Sequence, residues 1–207
     1  MCGIFSVISK TERPLDLSRC LRSLSKLSWR GPDLSTHLLW GNNVFLGQNI
    51  LSITGNIRSD QGDHLRSTSG RFYLGFNGEI YNYKSLENCW LTQKLERNEQ
   101  RTDSEVLVNL HETMSSSEIP PLLDGMYGYV ILDTQNKTIT ICRDPQGEKS
   151  LYIYEDTDHI IISSEISPIL SFNPSISIEP QSLKDYFSTR HMMLFERTVY
   201  SGIKQLP

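Results

Sequence analysis

The sequence predicts an α+β protein in which antiparallel sheets are flanked by helices, and two observations lead to this fold class. Apolar runs of strand length outnumber the segments with helical spacing, and only a few turn-forming residues separate several of these runs. Connections that short join antiparallel strands, because a parallel crossover needs about a dozen residues or more. Helices then cover the sheets, since each element must bury its apolar face.

Strands are predicted from apolar runs bounded by turn residues. Four of these runs predict a four-stranded antiparallel meander: Met126–Leu132, Thr138–Cys142, Leu151–Tyr154 and Ile160–Ile162. The first run is apolar almost throughout, which favours a strand covered on both faces. The segment Arg143-Asp144-Pro145-Gln146-Gly147 is typical of a hairpin connection. Further strands are predicted at Ile4–Ile8, Thr36–Trp40, Val44–Gln48 and Phe72–Phe76.

Three helices are predicted from apolar spacing and from their start signals. The first is indicated by Leu17, Leu21, Leu24 and Ser28, which recur at helical intervals. The second begins behind the capping box Thr102-x-x-Glu105 and continues through Val106, Leu110 and Thr113. The third runs from Gln181 to Thr189, where Pro180 is placed to start it.

Composition and charge exclude several classes of protein. The 207 residues suit one generous domain, and 20 Lys+Arg against 24 Asp+Glu leave no basic field for nucleic acid. No apolar run approaches the roughly 18 residues of a membrane span, and the N-terminus lacks a secretory signal, so a cytoplasmic location is expected. The four cysteines form no C-x-x-C pair and the five histidines lie near no ligand cluster, so no metal site is expected.

Cys2 is the first candidate catalytic residue. Met1 followed by a small residue is the usual substrate of cytosolic methionine removal, and that step leaves Cys2 with its own α-amine. An α-amino group titrates near neutral pH, so it can take the thiol proton and activate the nucleophile. The alternative interpretation is that position 2 simply begins a buried strand.

Acidic and amide side chains supply the other candidates. The segment Asn77-Gly78-Glu79 follows a predicted strand and is typical of a turn, but Asn77 and a nearby backbone N–H also suit an oxyanion hole. Glu79 is either a solvated charge or a ligand for a substrate amine. Asp103 starts the capped helix, where the dipole favours an acid without any further role. The segment Arg30-Gly31-Pro32-Asp33 is again typical of a turn.

Taken in order, the motifs resemble the glutaminase half of glutamine-hydrolysing asparagine synthetase, a class II glutamine amidotransferase domain. They are Met1-Cys2-Gly3-Ile4-Phe5, Arg30-Gly31-Pro32-Asp33, Asn77-Gly78-Glu79-Ile80-Tyr81-Asn82, Thr102-Asp103-Ser104-Glu105, Leu123-Asp124-Gly125-Met126, Arg143-Asp144-Pro145-x-Gly147 and Ser164-Glu165. The resemblance covers residues 1–207 as one domain, with about residues 180–207 as the connection towards an absent synthetase domain. It implies an N-terminal nucleophile (Ntn) hydrolase fold, a four-layer αββα sandwich with two antiparallel sheets.

The resemblance also implies roles for individual residues. Cys2 attacks the side-chain amide of L-glutamine to form a γ-glutamyl thioester and release ammonia, and water then frees glutamate. Asn77 and the Gly78 N–H hold the oxyanion, whereas Glu79 and Asp103 bind the substrate α-ammonium. The glutamine pocket is lined by the backbone of Ile50, Leu51, Ser52, Ile53 and Thr54, and residues 30–33 form a wall of the site.

The sequence departs from the family pattern in two respects. The family usually has an arginine before Leu-Ser-Ile to bind the glutamine α-carboxylate, whereas this chain has Ile50. A charge-assisted hydrogen bond is worth about 1.5 to 3 kcal/mol, so its loss predicts roughly 10- to 150-fold weaker binding unless Arg58 replaces it. The sequence also contains no Ser-Gly-Gly-x-Asp-Ser pyrophosphate loop. ATP and Mg²⁺ are therefore implied only for an absent synthetase domain, and no cofactor is expected for this one.

Three interpretations follow from the resemblance. The first is an active glutaminase that passes ammonia to an ATP-dependent synthetase domain or subunit outside this chain. In that interpretation the chain is a natural half, a fragment or a remnant. The second is a catalytically weakened or regulatory glutamine-binding module, as Ile50 suggests. The third is an amidotransferase with another acceptor, such as a sugar phosphate or phosphoribosyl pyrophosphate; the Asn-Gly-Glu-Ile-Tyr-Asn motif favours the asparagine-synthetase branch. L-glutamine is the expected ligand, a homodimer is one candidate assembly, and neither nucleic acid nor membrane is expected as a partner.

Overall fold

The computed structural model describes residues 1–52, 65–91, 101–190 and 196–207. The chain divides into two compact units. The first unit contains Met1–Thr54 and Ser150–Pro207, and the second contains Gly55–Lys149. Each unit is built on one antiparallel sheet.

The described residues form ten strands and five α-helices. The strands are β1 (Gly3–Ser9), β2 (Leu34–Trp40), β3 (Val44–Ile50), β4 (Leu65–Arg66), β5 (Phe72–Ile80), β6 (Gly125–Asp133), β7 (Thr138–Arg143), β8 (Tyr152–Glu155), β9 (His159–Ser163) and β10 (Ile203–Gln205). The helices are α1 (Leu17–Leu24), α2 (Tyr83–Trp90), α3 (Asp103–Thr113), α4 (Ile166–Phe172) and α5 (Pro180–Thr189). None of the helices in these ranges has the length and apolarity that a membrane span requires.

The sheet of the first unit has the strand order β10-β8-β9-β1-β3-β2. Strand β1 lies inside this sheet and pairs with β3 on one side and β9 on the other, which buries most of its residues. Its Phe5 packs with Phe45 and Phe172 in an apolar cluster that also contains residues of α1 and α4. Cys2 therefore immediately precedes a strand that is hydrogen-bonded to a neighbouring strand on each side.

The sheet of the second unit has the strand order β4-β5-β6-β7. Strands β5 and β6 pair along their whole length, from Phe72 opposite Asp133 to Ile80 opposite Gly125. Residues 127–133 of β6 are all buried, which confirms the prediction that this run is covered on both faces. Helix α3 contributes Val106, Leu107, Val108 and Leu110 to the apolar cluster beside this sheet.

The four apolar runs between residues 126 and 164 form strands, but the prediction of one four-stranded meander is wrong. Strands β6 and β7 belong to one sheet, whereas β8 and β9 belong to the other. The segment at 143–147 is therefore not a hairpin connection. Asp144 is 1% exposed and accepts the backbone N–H groups of Tyr127, Glu148 and Lys149, so it directs the chain away from β7. Burial alone raises the pKa of Asp144, but these hydrogen bonds outweigh it and hold the pKa below its usual value.

Helix α1 forms where the spacing predicts it, but it buries a different side. Leu17 and Leu21 are 36% and 37% exposed, whereas Cys20, Leu24 and Leu27 are buried. The predicted set (Leu17, Leu21, Leu24 and Ser28) and the buried set (Cys20, Leu24 and Leu27) both recur at helical spacing, and they share Leu24. The sequence pattern alone therefore does not show which stripe faces the sheet.

The other two predicted helices are confirmed with their start signals. The capping box at α3 is complete, because the Thr102 hydroxyl accepts from the Glu105 N–H and the Glu105 carboxylate accepts from the Thr102 N–H. Pro180 stands in the first turn of α5. Helices α2 and α4 have no counterpart among the predictions; α2 buries only Leu86 and α4 has seven residues with Pro168 inside, so neither shows a clear apolar period.

Candidate active site

Cys2 is half-buried, and its thiol lies beside the segment that follows β3. The Cys2 Sγ is 3.8 Å from the carbonyl oxygen of Leu51, and the Cys2 carbonyl accepts a hydrogen bond from Arg30 Nε at 3.0 Å. The pairing of Gly3 with Asn49 explains the proximity, because the residue just before β1 and the residue just after β3 lie at the same end of this antiparallel pair. The structure thus brings the predicted nucleophile together with part of the predicted glutamine-binding segment.

That binding segment is fixed by Asp33. The Asp33 N–H donates to the Ile50 carbonyl at 3.1 Å, and the Asp33 carboxylate accepts from the Ser52 N–H at 2.8 Å. Ile50 ends β3, and Leu51 and Ser52 are half-buried beyond it. The other predicted pocket residues, Ile53 and Thr54, lie outside the described residues, as does Arg58, the predicted substitute for the missing arginine.

The 30–33 turn packs directly against the end of β3. A Cβ added to Gly31 would lie 2.3 Å from the carbonyl carbon of Asn49 and 2.4 Å from the Ile50 nitrogen. No side chain fits there, so only glycine allows the turn to come this close. Residues 30–33 thus stand beside the Ile50–Ser52 segment, where the resemblance predicts a wall of the site.

Arg30 has a largely buried side chain, and its guanidinium forms an ion pair with Glu165. The sequence motif contains Glu165 but gives it no role. A buried arginine needs a counter-ion, yet the two residues are 135 positions apart, so the sequence does not show which acid supplies it.

Asn77, Gly78 and Glu79 lie inside β5, so their interpretation as a turn is wrong. Asn77 pairs with Gly128 and Gly78 pairs with Tyr127 in the β5–β6 ladder. Turn chemistry is a local preference, and here the pairing with a long buried strand overrides it.

The Asn77 side chain carries an unpaired donor. Asn77 is 2% exposed, and its Nδ2 has no hydrogen-bond acceptor among the described residues. A buried donor without a partner costs about 1 to 3 kcal/mol, so such a group marks a place where an acceptor is missing. A developing oxyanion is an acceptor of this kind.

Gly78 supplies the backbone geometry next to this donor. Its φ is 157°, and a Cβ at this position would lie 2.1 Å from the Met126 carbonyl oxygen. Any residue with a side chain would push β5 away from β6. Glycine is therefore required by the close approach of the two backbones.

Asp103 and Glu79 form a pair of interacting carboxylates at the end of β5. The Asp103 carboxylate accepts from the Ile80 N–H at 3.1 Å and from the Ser104 N–H at 2.8 Å. Burial raises the pKa of Asp103, and the negative charge of Glu79 adds to that rise, while the backbone hydrogen bonds oppose it. Glu79 itself is exposed. A cation placed between two such groups relieves their repulsion, which is what a substrate ammonium offers.

A groove among the described residues lies outside the set of predicted site residues. An open groove of about 530 Å³ in the second unit is lined by Ser69, Arg71, Phe72, Glu112 and Gln135 among others, and contains none of the predicted site residues. No group of three or more His, Cys, Asp and Glu side chains in the described ranges is arranged to hold a metal ion.

Comparison with known proteins identifies the family. All of residues 1–207 match the family model described as "Glutamine amidotransferase domain". The chain therefore belongs to the glutamine amidotransferase domain family, as the motifs predict.

The curated relatives are glutamine-hydrolysing asparagine synthetases. The chain is 35% identical over 162 residues to asparagine synthetase 3 of Arabidopsis thaliana, covering 74% of this chain and 25% of that protein. It is 28% identical over 211 residues to the probable asparagine synthetase of Acanthamoeba polyphaga mimivirus, covering 90% of this chain and 37% of that protein. The chain thus spans between a quarter and about two fifths of the length of these relatives.

Solved structures with low sequence identity share the fold. The glutamine phosphoribosylpyrophosphate amidotransferase from B. subtilis, complexed with ADP and GMP, matches with a TM-score of 0.61 at 20% identity, covering 83% of this chain and 43% of that chain. A structure described as the allosteric regulatory enzyme of purine biosynthesis matches with a TM-score of 0.53 at 18% identity, with the same coverage. The predicted α+β Ntn-hydrolase class with two antiparallel sheets is confirmed.

Proposed function

We propose that this domain hydrolyses L-glutamine to glutamate and ammonia with Cys2 as the nucleophile. The observation that carries the proposal is the buried Asn77 Nδ2, a donor without an acceptor among the described residues, next to the close backbone approach at Gly78. The half-buried Cys2 thiol beside the Leu51 carbonyl supports the assignment of the nucleophile. The relatives, named as glutamine-hydrolysing enzymes, support the choice of substrate.

The reaction begins after Met1 is removed. The freed α-amine of Cys2 takes the thiol proton, and the sulfur attacks the side-chain carbonyl carbon of glutamine. Asn77 Nδ2 and the Gly78 N–H donate to the oxygen that becomes negative. The carbon–nitrogen bond then breaks, the leaving nitrogen takes the proton from the amine and departs as ammonia, and a γ-glutamyl thioester remains.

Hydrolysis completes the cycle. The Cys2 amine takes a proton from water, and the resulting hydroxide adds to the thioester carbonyl. The carbon–sulfur bond breaks, the thiol regains a proton, and glutamate leaves. No step requires a cofactor or a metal ion.

Substrate orientation comes from both ends of the glutamine main chain. Glu79 and Asp103 bind its α-ammonium, and the positive charge of that group relieves the repulsion between the two carboxylates. The backbone of residues 50–54 lines the pocket. Ile50 provides no charge for the α-carboxylate, so Arg58 is proposed for that role.

The ammonia passes to an ATP-dependent synthetase domain or subunit, where ATP and Mg²⁺ act. Asparagine synthesis is the proposed outcome, because the curated relatives carry that name. The full range 1–207 as one glutaminase domain, with about residues 180–207 as its connection, stays a prediction. Cytoplasmic location and homodimer formation likewise stay predictions of the sequence.

A second candidate function is a glutamine-binding module with weakened catalysis. The absence of the usual arginine at Ile50 favours it. It differs from the first in one measurable respect, since a binding module takes up glutamine without releasing ammonia.

Mass spectrometry after exposure to a diazo-ketone analogue of glutamine tests the proposal. We expect a protein that lacks Met1 and carries one adduct on Cys2, together with ammonia release from glutamine by the wild type. Cys2→Ala is the control and should show neither adduct nor turnover. Retained Met1 with an unmodified Cys2, or equal turnover in both proteins, would contradict the proposal. Glutamine binding with no adduct and no ammonia would favour the binding module.

A further inference from the structure

We propose that Glu165 is a positioning residue for Cys2 and acts through the Arg30 guanidinium. This inference rests on the proposed function, in which Cys2 is the nucleophile. Glu165 does not contact Cys2 in the structure; it holds the side chain that does.

The Arg30 guanidinium is divided among three contacts. Its Nε donates to the Cys2 carbonyl at 3.0 Å, and one terminal nitrogen donates to the Glu165 carboxylate. The other terminal nitrogen lies 3.7 Å from the Met1 sulfur. The contacts to Cys2 and Glu165 do not involve Met1, which the proposed function removes, and Glu165 is the residue just before α4.

The burial of the Arg30 side chain explains why a carboxylate partner is needed. The Arg30 side chain is 9% exposed, and that of Glu165 is 31% exposed. A buried guanidinium is costly unless it is paired and hydrogen-bonded. Glu165 is the carboxylate that pairs with Arg30 among the described residues.

Glu165 is fixed because it lies two residues after the end of β9 and immediately before α4. The preceding residue, Ser164, is bound twice to Ile4: its hydroxyl accepts from the Ile4 N–H at 3.0 Å, and its own N–H donates to the Ile4 carbonyl at 2.9 Å. The Glu165 N–H donates to the Ser163 hydroxyl at 3.3 Å. The acid is thereby attached to the strand that borders β1.

Cys2 needs such an anchor because it lies outside the β1 ladder. The strand begins at Gly3, and removal of Met1 makes Cys2 the end of the chain. Terminal residues are poorly ordered unless something holds them. The chain of contacts from β9 through Glu165 and Arg30 to the Cys2 carbonyl supplies that hold, so the thiol stays at the edge of the glutamine-binding segment.

The ion pair also balances charge next to the nucleophile. Among the described residues of the first unit, Arg30 and Glu165 are the charged side chains linked to Cys2 by these contacts, and Asp33 is attached to the neighbouring segment through Ser52. Without Glu165, the uncompensated guanidinium favours the thiolate and the neutral amine of Cys2. The acidic limb of the activity profile should then move to lower pH, which a purely structural defect does not cause.

Three variants test the inference in the full chain. Glu165→Ala removes the ion pair, whereas Glu165→Gln keeps an oxygen that accepts from Arg30 but removes the charge. Glu155→Gln is the matched control, because Glu155 pairs with Lys10 on the exposed surface of the same unit, at 2.8 Å. For each protein we would measure kcat and KM for glutamine across pH, the thermal midpoint, and the rate at which iodoacetamide modifies Cys2.

We expect Glu165→Ala to lower kcat about 10- to 100-fold, because misplacing a reacting group by about 1 Å can cost that much. KM should change less than about 3-fold, since the variant leaves the groups proposed to bind glutamine in place. Glu165→Gln should recover part of the lost kcat, both variants should shift the acidic limb to lower pH, and Glu155→Gln should match the wild type.

Two results would overturn the positioning role. One is a wild-type kcat in Glu165→Ala; the other is a loss of activity that only follows the unfolded fraction, with the acidic limb unmoved. The iodoacetamide reaction separates this inference from the proposed function, because it does not require glutamine. If the wild type fails to hydrolyse glutamine, a shifted pH profile of Cys2 alkylation in Glu165→Ala still supports the positioning role, and an unshifted one refutes it.

Discussion

Asp103 accepts the backbone N–H of Ile80 at 3.1 Å, so the first residue of α3 is tied to the last residue of β5. An acid at the start of a helix needs no explanation beyond the helix dipole. Here, however, the carboxylate turns to a neighbouring strand and interacts with the charge of Glu79. The helix dipole alone does not account for these two interactions of Asp103.

Asp103→Asn should raise KM for glutamine about 10-fold or more, because it removes one charged partner of the α-ammonium. The amide oxygen still accepts from Ile80, so the fold is kept. Burial disfavours the ionised carboxylate, and the thermal midpoint at pH 7 should therefore stay level or rise. Steady-state kinetics and thermal unfolding check both parts, with Glu112→Gln on the same helix as the control. An unchanged KM would remove Asp103 from the binding site.

Glutamine affinity should also depend on pH through Asp103. Since the pKa of this carboxyl is raised, it takes up a proton at a higher pH than an ordinary aspartate. KM should rise as the pH falls through that raised pKa, and the rise should be smaller in Asp103→Asn. Identical pH profiles of KM in the two proteins would contradict the assignment.

Asn77→Ala should lower kcat by about 10² to 10³, the usual cost of removing one oxyanion donor. KM should change little, because the oxyanion develops only in the transition state. Asn77→Asp should be at least as impaired, since it offers an acceptor where a donor is required. Asn136→Ala, in the turn between β6 and β7, is the control. A kcat within about 3-fold of the wild type in Asn77→Ala would exclude an oxyanion role.

Gly78→Ala should reduce both stability and turnover. Its methyl group would meet the Met126 carbonyl oxygen at 2.1 Å, so β5 and β6 must separate locally. We expect a loss of at least about 2 kcal/mol in the free energy of unfolding, as for other severe backbone clashes. Gly70→Ala is the matched control, because Gly70 has a φ of 76° but no atom within 4 Å of the added Cβ. Equal losses in the two variants, measured by urea unfolding, would show that close approach is not the cause.

Ile50→Arg should lower KM for glutamine by about 10- to 150-fold if no other group binds the α-carboxylate, because it restores a charge-assisted hydrogen bond. If Arg58 already supplies that bond, Arg58→Ala should raise KM by a similar factor and Ile50→Arg should change little. Arg66→Ala, on β4, is the control for loss of a surface arginine. The idea that a carboxylate-binding arginine matters here would fail if neither substitution changed KM.

His111 should make the protein less stable in acid. Burial lowers its pKa from 6.5 to about 4, so the unfolded chain binds a proton in a pH range where the folded protein does not. Stability should therefore fall as the pH drops from about 6.5 towards 4, by about 3 kcal/mol in total for a shift of this size. His111→Gln should flatten the pH dependence of the free energy of unfolding in urea. Parallel curves for the two proteins would show that another group is responsible.

The sequence predicts elements whose signals are local and periodic. Strands such as β1, β3 and β6 follow from apolar runs between turn residues, and α3 and α5 follow from the capping box and Pro180. The candidate nucleophile is also found locally, since its interest lies in its position beside Met1.

Features that depend on distant partners escape the sequence. Asn77 and Gly78 are residue types typical of turns, but their pairing with Gly128 and Tyr127 places them inside a strand. The connection after β7 has turn residues too. Asp144 there accepts hydrogen bonds from backbone N–H groups of the connection, and the next two strands, β8 and β9, belong to the other sheet. The Arg30–Glu165 pair is of the same kind, because either residue alone gives no sign of the other.

Gly31 limits how this domain can be redesigned. Its contact with Asn49 and Ile50 leaves no room for even a methyl group, so the turn and the end of β3 cannot be varied independently. A library aimed at another amide substrate should therefore hold Gly31 constant and diversify Leu51 and Ser52. We therefore expect changes in substrate range to come from substitutions at Leu51 and Ser52 and not from substitutions at Gly31.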